Sequence, residues 1–494
     1  MRKSLITVVI LGSIMPVLDM TVVNVALSGL SQSFDAPLTT IQWIVTGYTL
    51  ALAAIIPVTA WAIDRFGSKR VYLSAISLFV LGSALAGLAW SAEALIGFRV
   101  LQGLGGGMIV PTGMAVVIRA ADSDRLGRTM GLLGIPILIG PLAGPVLGGW
   151  LVDDLSWRWM FFINVPVGAL VLLLSARFFP SEAAGSTRRL DVPGLLMLSP
   201  GLALLLFGLT RVEHGGIGDP GVYGPVVLGA ALVAGFVRRA LTTAEPLLDL
   251  RLYVHRPFGV SAATLVLFSA GYFGTMMLTP MFYQALRGES ALASGLLMAP
   301  QALATGITMQ LIGRVTDKVA PRSLILPGVL LAGAGMLGFT VQAGVDTPYW
   351  RLILSLVCVG IGVGMTMMPS MTTATRQLPK SQAAGASTAL NINSQLAMSV
   401  GTAVLSVLLA AQLSSRIPGS GGAVTALADA SPAAAARQAA QFADAFQTTF
   451  ACGTALMLAA ALPALLHSRR RPAATEGVSA DPAATVEPSS ASAP

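Results

Sequence analysis

The chain is organised around residues 11–28, which read LGSIMPVLDMTVVNVALS. This apolar run is interrupted by one carboxylate, Asp19, and one amide, Asn24. A charged side chain near the middle of a bilayer costs roughly 2.5–3.5 kcal/mol on insertion scales, so such residues usually face a bundle interior or a water-filled cavity. Asp19 is therefore predicted to lie inside a helix bundle and to serve a function there.

The composition indicates a membrane protein. Of 494 residues, 54% are apolar and only 11% are charged, with a mean hydropathy of +0.77. Soluble proteins carry about 25% charged residues, so an ordinary globular enzyme is excluded. The formal charge of +8 comes from short basic clusters between apolar runs, a pattern typical of topology signals rather than nucleic-acid binding. Cys358 and Cys452 both lie in apolar runs and predict neither a disulfide framework nor a metal site.

Apolar runs that could cross a bilayer recur about fourteen times, since one span needs about 20 apolar residues. The first run also resembles a cleavable secretory signal, but its length, Pro16 and Asp19 favour an uncleaved helix. The predicted spans are 5–27, 41–61, 71–90, 94–118, 129–151, 160–179, 192–212, 222–240, 258–284, 293–313, 323–343, 349–370, 386–411 and 446–467.

Lys and Arg residues are concentrated in alternate connectors. With the N-terminus inside, basic pairs such as Lys69-Arg70 and Arg238-Arg239 fall in inner connectors, whereas the outer connectors keep only a few bases such as Arg158. The positive-inside rule therefore predicts that both termini are cytoplasmic.

The two parts of the chain repeat a short pattern. Residues 64–70 read DRFGSKR after the second span, and residues 317–322 read DKVAPR after the tenth. Such repeats predict two related six-span bundles. We expect an N-terminal bundle at 1–180, an inserted two-helix segment with connectors at 181–257, a C-terminal bundle at 258–467 and a disordered tail at 468–494.

Asp19 and one basic residue, Arg99, are predicted to lie at the same membrane depth. Asp19 lies about 14 residues, or roughly 21 Å, into the first span, and Arg99 lies about five residues, or roughly 8 Å, below the outer end of the fourth. We expect a site toggled by protonation, in which Asp19 binds a proton or a cation and Arg99 sets the balance. The alternative is a purely structural ion pair between the two spans.

The fifth span has small residues at four-residue spacing. Gly140, Gly144 and Gly148 fall on one helix face, which favours close contact with another helix. Pro141 and Pro145 remove backbone donors and bend the span. The pattern suits an interface between moving halves, although ordinary small-residue packing would produce it too.

Together these segments resemble the signature motifs of the Major Facilitator Superfamily, and within it the fourteen-span drug:proton antiporters of the EmrB/QacA type. The first-helix motif matches 18–27 (LDMTVVNVAL) and a further hallmark matches 157–166 (WRWMFFINVP). The inner-loop motif matches Asp64, Arg65, Gly67 and Lys69, the fourth-helix motif matches Arg99, Gln102 and Gly103, and the antiporter motif matches Gly140, Gly144, Pro145, Gly148 and Gly149. The inner-loop motif departs from the family at Ala60 and Ser68.

The resemblance implies an all-α polytopic membrane protein with the superfamily fold: two rocking six-helix bundles plus an inserted pair, fourteen spans in all. Asp64 would then hold an inner gate, together with Arg65, Gly67 and Lys69, through charge contacts and the positive end of a neighbouring half-helix. Alternatively, Asp64 is a solvated loop charge.

The ninth span carries side chains that suit lipophilic cations. Aromatic faces and flexible thioethers bind such ligands, although the same stripes often serve packing alone. The candidate pocket residues are Phe268, Tyr272, Phe273, Met276, Met277 and Tyr283. Trp43 and Tyr48 in the second span could line the same cavity or anchor the membrane interface.

The sequence thus predicts a monomeric, proton-coupled antiporter that exports hydrophobic, cationic drugs or natural products across a bacterial cytoplasmic membrane. The alternative is a narrow exporter of one antibiotic, lipid or metabolite. We expect no cofactor and no metal, with protons as the coupling ion. An enzyme is disfavoured because His214, His255 and His467 lie in separate loop regions.

Overall fold

The computed structural model describes residues 3–120, 126–133, 143–144, 147–148, 150–151, 154–180, 189–215, 220–344, 346–416 and 432–469. These ranges contain helices and no β-strand. A bilayer core offers no hydrogen bonds to the backbone, so each span must satisfy its own polar groups as a helix. Thirteen helices in the described ranges are long and apolar enough to cross a membrane. The predicted all-α polytopic fold is confirmed, and the predicted span 129–151 lies largely outside these ranges.

The helices follow one another in a simple order. In the first half they are α1 (Lys3–Val25), α2 (Leu27–Phe34), α3 (Leu38–Ile41), α4 (Trp43–Phe66), α5 (Ser68–Gly87), α6 (Ala92–Ala120), α7 (Leu126–Leu132), α8 (Trp159–Phe162) and α9 (Asn164–Phe178). The inserted pair is α10 (Val192–Gly215) and α11 (Pro220–Thr242). The second half contains α12 (Arg256–Arg287), α13 (Ala291–Val315), α14 (Pro321–Gln342), α15 (Tyr349–Arg376), α16 (Ala383–Arg416), α17 (Pro432–Ala459) and α18 (Ala461–Ala464).

Helix bounds agree with the predicted spans within a few residues, except near the C-terminal end. The sequence predicts a span at 446–467, and the Ala-rich stretch 432–442 before it predicts a short helix of its own. Instead, α17 is continuous from Pro432 to Ala459 and ends before α18. The separation was wrong because the Ala-rich sequence has the highest intrinsic helix propensity, so nothing stops the helix from continuing into the apolar run.

Helix α6 is held in the first half by glycines that allow close backbone contact. A Cβ added at Gly105 would lie 2.5 Å from the backbone nitrogen of Phe79 in α5. On the opposite side, a Cβ at Gly103 would lie 2.4 Å from the carbonyl oxygen of Tyr48 in α4. Small residues drive helix association in membranes because they let backbones approach. The GLGGG run at 103–107 therefore packs closely between α4 and α5, and we call this segment the glycine wedge.

The inserted pair is fastened at one end by Asp191. Its carboxylate accepts hydrogen bonds from the backbone of Gly194 at 3.1 Å and from Arg239 Nε at 2.9 Å, which joins the start of α10 to the end of α11. Helix α10 contacts α4 of the first half and α16 of the second. The pair therefore covers one side of the junction between the halves. The division into bundles at 1–180 and 258–467 stays a prediction.

We expect Gly105→Ala to destabilise the protein by about 1–3 kcal/mol, the usual scale of overpacking, because the methyl group would collide with backbone atoms. Gly97→Ala is the matched control on the same helix, since no atom lies within 4 Å of its added Cβ. The control should be neutral or stabilising, because Ala favours helices over Gly. The melting temperatures of both variants are measured by thermal unfolding of the purified protein in detergent. Equal melting temperatures would show that the close packing of the glycine wedge does not stabilise the protein.

Candidate functional site

The structure places Asp19 and Arg99 in direct contact. Asp19 comes from α1 and Arg99 from α6, and the Arg99 guanidinium donates a hydrogen bond to Asp19 Oδ2. The side chains of both residues are fully buried. The sequence predicted that the two residues lie at the same membrane depth, and in the structure they are in contact. The proton-coupling role of the pair stays a prediction.

Two amides complete the surroundings of the Asp19 carboxylate. Gln102 Nε2 donates to Asp19 Oδ1 at 2.9 Å, and Asn164 Nδ2 from α9 donates to the same oxygen at 3.3 Å. Gln102 also accepts from Arg99 at 2.8 Å, so it bridges the pair. Asn164 in turn donates to Ser83 Oγ of α5 at 3.1 Å. The Asp19 network therefore ties four helices of the first half together.

The Arg99 guanidinium also lies on aromatic faces. Its carbon is 4.1 Å from the ring centre of Tyr48 and 5.6 Å from that of Phe161. Tyr48 is fully buried, so of the two alternatives for this residue the membrane-interface anchor does not apply, and its ring lies under the Arg99 charge. Among the described residues, neither Arg99 Nη2 nor the Tyr48 hydroxyl has a hydrogen-bond partner.

The hydrogen bonds to Asp19 come from two other helices. Three donors point at the two carboxylate oxygens, and they occupy three of the roughly four lone-pair sites of the group. The donors belong to α6 and α9, so the carboxylate joins α1 to both helices. Asn164 lies within the hallmark at 157–166, a signal that could have identified it from sequence.

The residues of the predicted inner gate form contacts within the first half. Asp64 pairs with Arg119 of α6 at 3.0 Å, so a purely solvated loop charge is ruled out for Asp64. Gly67 has a φ of +83°, a conformation that favours glycine, and separates α4 from α5. Lys69 Nζ donates to the carbonyl of Ala176 near the end of α9 at 2.6 Å. Arg65 is exposed. Their gating role stays a prediction.

The repeat-related carboxylate of the second half, Asp317, does reach across to the first half. Its Oδ1 accepts from the backbone nitrogen of Gly127 at 3.0 Å, at the start of α7, and its Oδ2 faces that of Arg128 at 3.4 Å. Arg376 lies 3.5 Å from the same carboxylate. The half-helix N-terminus expected opposite Asp64 stays a prediction. At the equivalent position of the repeat at 317–322, Asp317 lies opposite such a helix start, that of α7.

Small residues allow the two halves to meet beside Asp317. A Cβ added at Gly131 of α7 would lie 2.8 Å from the carbonyl of Met309 in α13, and one at Gly313 would lie 2.9 Å from the carbonyl of Gly127. Gln310 donates to the carbonyl of Gly131 at 3.0 Å. These contacts, with those of Asp317, define the inner seam. It lies at the end of the bundle that the Lys and Arg distribution predicts to be cytoplasmic.

The antiporter motif is described only in part. Gly144 is buried, and its added Cβ would lie 2.2 Å from Thr21 Oγ1, two residues beyond Asp19 in α1. Gly148 is buried as well. Gly140, Pro145 and Gly149 lie outside the described residues. The close contact expected for this glycine face is therefore present at Gly144, where it brings the fifth span against the helix that carries Asp19.

The predicted pocket residues of α12 divide into two groups. Phe268, Tyr272 and Tyr283 are buried, and Tyr283 packs on Phe282 and Phe339 within the second half, with ring centres 5.4 and 6.2 Å away. Phe273 and Met276 are half-buried and Met277 is exposed. The surroundings of Tyr283 are those of a packing residue. The assignment of the others to a substrate pocket stays a prediction.

The sequence is similar to those of known proteins. Residues 9–402 match the family model described as the Major Facilitator Superfamily. The chain is 39% identical over 408 residues to a multidrug resistance protein B homolog of Mycobacterium tuberculosis, covering 82% of this chain and 76% of that protein. It is 27% identical over 391 residues to the lincomycin resistance protein LmrB of Listeria monocytogenes, covering 79% and 83%.

The fold is also that of solved transporters. The crystal structure of the human organic anion transporter MFSD10 superposes with a TM-score of 0.64 at 17% identity, over 94% of this chain and all of that chain. The family model, the relative at 39% identity and the shared fold all point to the same family. The chain is a multi-pass membrane protein that belongs to the Major Facilitator Superfamily.

Proposed function

We propose that this protein is a multidrug efflux transporter that exchanges protons for hydrophobic, cationic drugs or natural products across the bacterial cytoplasmic membrane. Its similarity to relatives named for multidrug and lincomycin resistance supports efflux. The observation that carries the coupling is the fully buried Asp19 network, in which one carboxylate holds helices α1, α6 and α9 together.

The coupling follows from the charge that the network can hold. An ionised Asp19 is balanced by Arg99 and two amide donors. A proton removes the charge and releases those donors, while a cationic substrate would compete with Arg99 for the same carboxylate. Proton and drug would therefore bind in turn, which is the condition for exchange. Gln102 and Asn164 act as positioning residues for the carboxylate.

The membrane potential can drive such a cycle. Moving one elementary charge across 100 mV is worth roughly 2.3 kcal/mol, so a single proton per cycle supports a useful drug gradient. No nucleotide is needed for this drive, and the chain contains no phosphate-binding Gly-Lys-Ser/Thr loop.

Alternating access requires that the inner seam open and close. The seam contacts between Asp317, Gly127 and the glycine-lined faces of α7 and α13 hold the two halves together at that end. They are hydrogen bonds and close contacts of small residues. Each can break at modest cost when the halves rock, so the seam is suited to a gate.

Asp19→Asn is expected to abolish proton-coupled efflux, because the amide keeps the size of the side chain but cannot take up a proton. The measurement is export of ethidium, a fluorescent lipophilic cation, from cells expressing the protein, with and without an uncoupler. Asp154→Asn, an exposed position outside the network, is the matched control and should export normally. Normal export by Asp19→Asn would overturn the coupling assignment, and export of one compound class alone would favour a narrow transporter.

Tyr48 separates a role of the aromatic ring from a role of the hydroxyl. Tyr48→Phe should keep stability and efflux, because the hydroxyl makes no hydrogen bond among the described residues. Tyr48→Leu should lose roughly 0.5–2 kcal/mol of cation–π attraction to Arg99 and show a lower melting temperature and weaker efflux. Equal melting temperatures for the two variants would contradict a role of the ring.

Asp317→Asn should loosen the inner seam, because it removes the charge that faces the positive end of α7. Ala384, a fully buried residue of α16 that packs with Ala60 and Ile63 of α4, reports on closure at the same junction. The labelled residue is a cysteine introduced by Ala384→Cys in a chain with Cys358 and Cys452 replaced by Ser. Adding Asp317→Asn should make its reaction with maleimide about fivefold faster, if the free energy of closure falls by about 1 kcal/mol.

Asp346→Asn, at an exposed connector of the second half away from the seam, is the control for the labelling experiment. It should leave the labelling rate of Ala384→Cys unchanged. A rate in Asp317→Asn that equals that of the parent would show that Asp317 does not hold the two halves closed.

A further inference from the structure

The second half contains a cavity at its inner end that the transport cycle described above does not use. Its volume is about 560 Å³, and it is lined by the inner ends of α12, α13, α14 and α15 and by the residues that follow α18. Four arginines line it: Arg256, Arg322, Arg376 and Arg469. The described lining contains neither Asp nor Glu. The cavity is therefore strongly basic.

Little within the described part of the chain neutralises these arginines. Asp317 lies 3.5 Å from Arg376, whereas no described carboxylate forms an ion pair with Arg256, Arg322 or Arg469. The Arg256 guanidinium donates to the carbonyl of Leu466 at 3.5 Å, its one hydrogen bond among the described residues. The cavity thus has about four positive charges against one negative charge that it shares with the seam.

The remaining lining of the cavity mixes apolar residues with polar ones, and two of the polar ones are buried. Thr372 and His467, both lining residues, are 1% and 5% exposed. Burial lowers the pKa of His467 to about 4, so its ring is neutral at physiological pH and can both donate and accept a hydrogen bond. The positive potential therefore comes from the arginines, and the buried polar groups add hydrogen-bonding capacity.

Helix ends bring partial charges of both signs to the cavity. Helices α12 and α14 both begin at the cavity, with Arg256-Pro257 and Pro321-Arg322, and a helix N-terminus carries a partial positive charge. Helices α13 and α15 end nearby, and Arg376 at the last turn of α15 offsets its negative end.

We propose that this cavity is a binding site for a phosphate group, held by Arg256, Arg322, Arg376 and Arg469. The planar guanidinium matches phosphate oxygens with two parallel hydrogen bonds, and several arginines around one pocket are typical of phosphate recognition. The phosphate comes either from the headgroup of an anionic lipid of the inner leaflet or from a soluble phosphate compound. Basic pockets between transmembrane helices on the cytoplasmic side suit the first source.

Occupancy of this site bears on the inner seam. Arg376 is shared between the cavity and Asp317, the carboxylate that contacts the start of α7. A bound phosphate would compete with Asp317 for Arg376. The site is therefore placed to link the lipid or phosphate content of the inner face to closure of the two halves, whatever the exported substrate is.

The test uses the full chain purified in a neutral detergent. In one arm, native mass spectrometry counts molecules of phosphatidylglycerol retained by the protein, with phosphatidylcholine as the uncharged comparison. In the other arm, the melting temperature is measured in sodium phosphate and in sodium chloride of equal ionic strength. The double variant Arg322→Gln/Arg469→Gln is compared with Arg314→Gln/Arg238→Gln, which removes two exposed inner-end charges outside the cavity.

The wild type and the Arg314→Gln/Arg238→Gln control should retain phosphatidylglycerol, whereas Arg322→Gln/Arg469→Gln should bind on the order of tenfold more weakly for each arginine lost. Arg322→Lys/Arg469→Lys should recover part of the affinity, which shows that the Gln variant failed through charge rather than misfolding. A response in the lipid arm alone assigns the lipid headgroup, a response in the phosphate arm alone assigns soluble phosphate, and a response in both arms assigns a site that accepts the phosphate group from either source.

The variant Asp317→Asn should change phosphate affinity in the direction opposite to the arginine variants. It removes the one described carboxylate that shares Arg376, so phosphate should bind more tightly to this variant than to the wild type. Equal retention of phosphatidylglycerol by Arg322→Gln/Arg469→Gln and by its control, together with no phosphate effect on the melting temperature of the wild type, would overturn the proposal.

Discussion

The fully buried ion pair between Asp19 and Arg99 constrains the rest of the first half. Removing one partner of such a pair leaves an uncompensated charge in low dielectric, a cost of about 3–5 kcal/mol. Every neighbouring element must therefore hold the pair at contact distance: the amides of Gln102 and Asn164 fill the remaining oxygen, and the Tyr48 ring covers the guanidinium. The glycines of α6 serve the same end, because only a close approach of α4 and α5 lets these side chains meet.

The repeated loops place a carboxylate at equivalent positions in the two halves. Asp64 pairs with Arg119 at 3.0 Å, and Asp317 contacts the start of α7 in the other half. A repeat fixes the positions of charges along the chain, but the partner of each charge depends on which helix end lies opposite.

The seam and the basic cavity of the second half adjoin each other at Arg376. This side chain contacts Asp317 on one side and lines the cavity on the other. Interactions between charges at the edge of a membrane protein depend on the ions and lipids around them, because those are the competing partners. The geometry therefore connects the seam to the cavity, separately from the Asp19 network.

By itself, the sequence determined the class of protein, the positions of most spans and the two residues of the central pair, because hydropathy, length and the cost of a buried charge act locally along the chain. The hallmark at 157–166 can be read from the sequence, but the contact of Asn164 with Asp19 cannot. Likewise, the repeat at 317–322 can be read from the sequence, but the contact of Asp317 with Gly127 cannot. The burial of Tyr48 and the meeting of four arginines in one cavity were decided by the tertiary structure alone. These features depend on which helix faces meet, and small residues permit many such pairings until the whole bundle has packed.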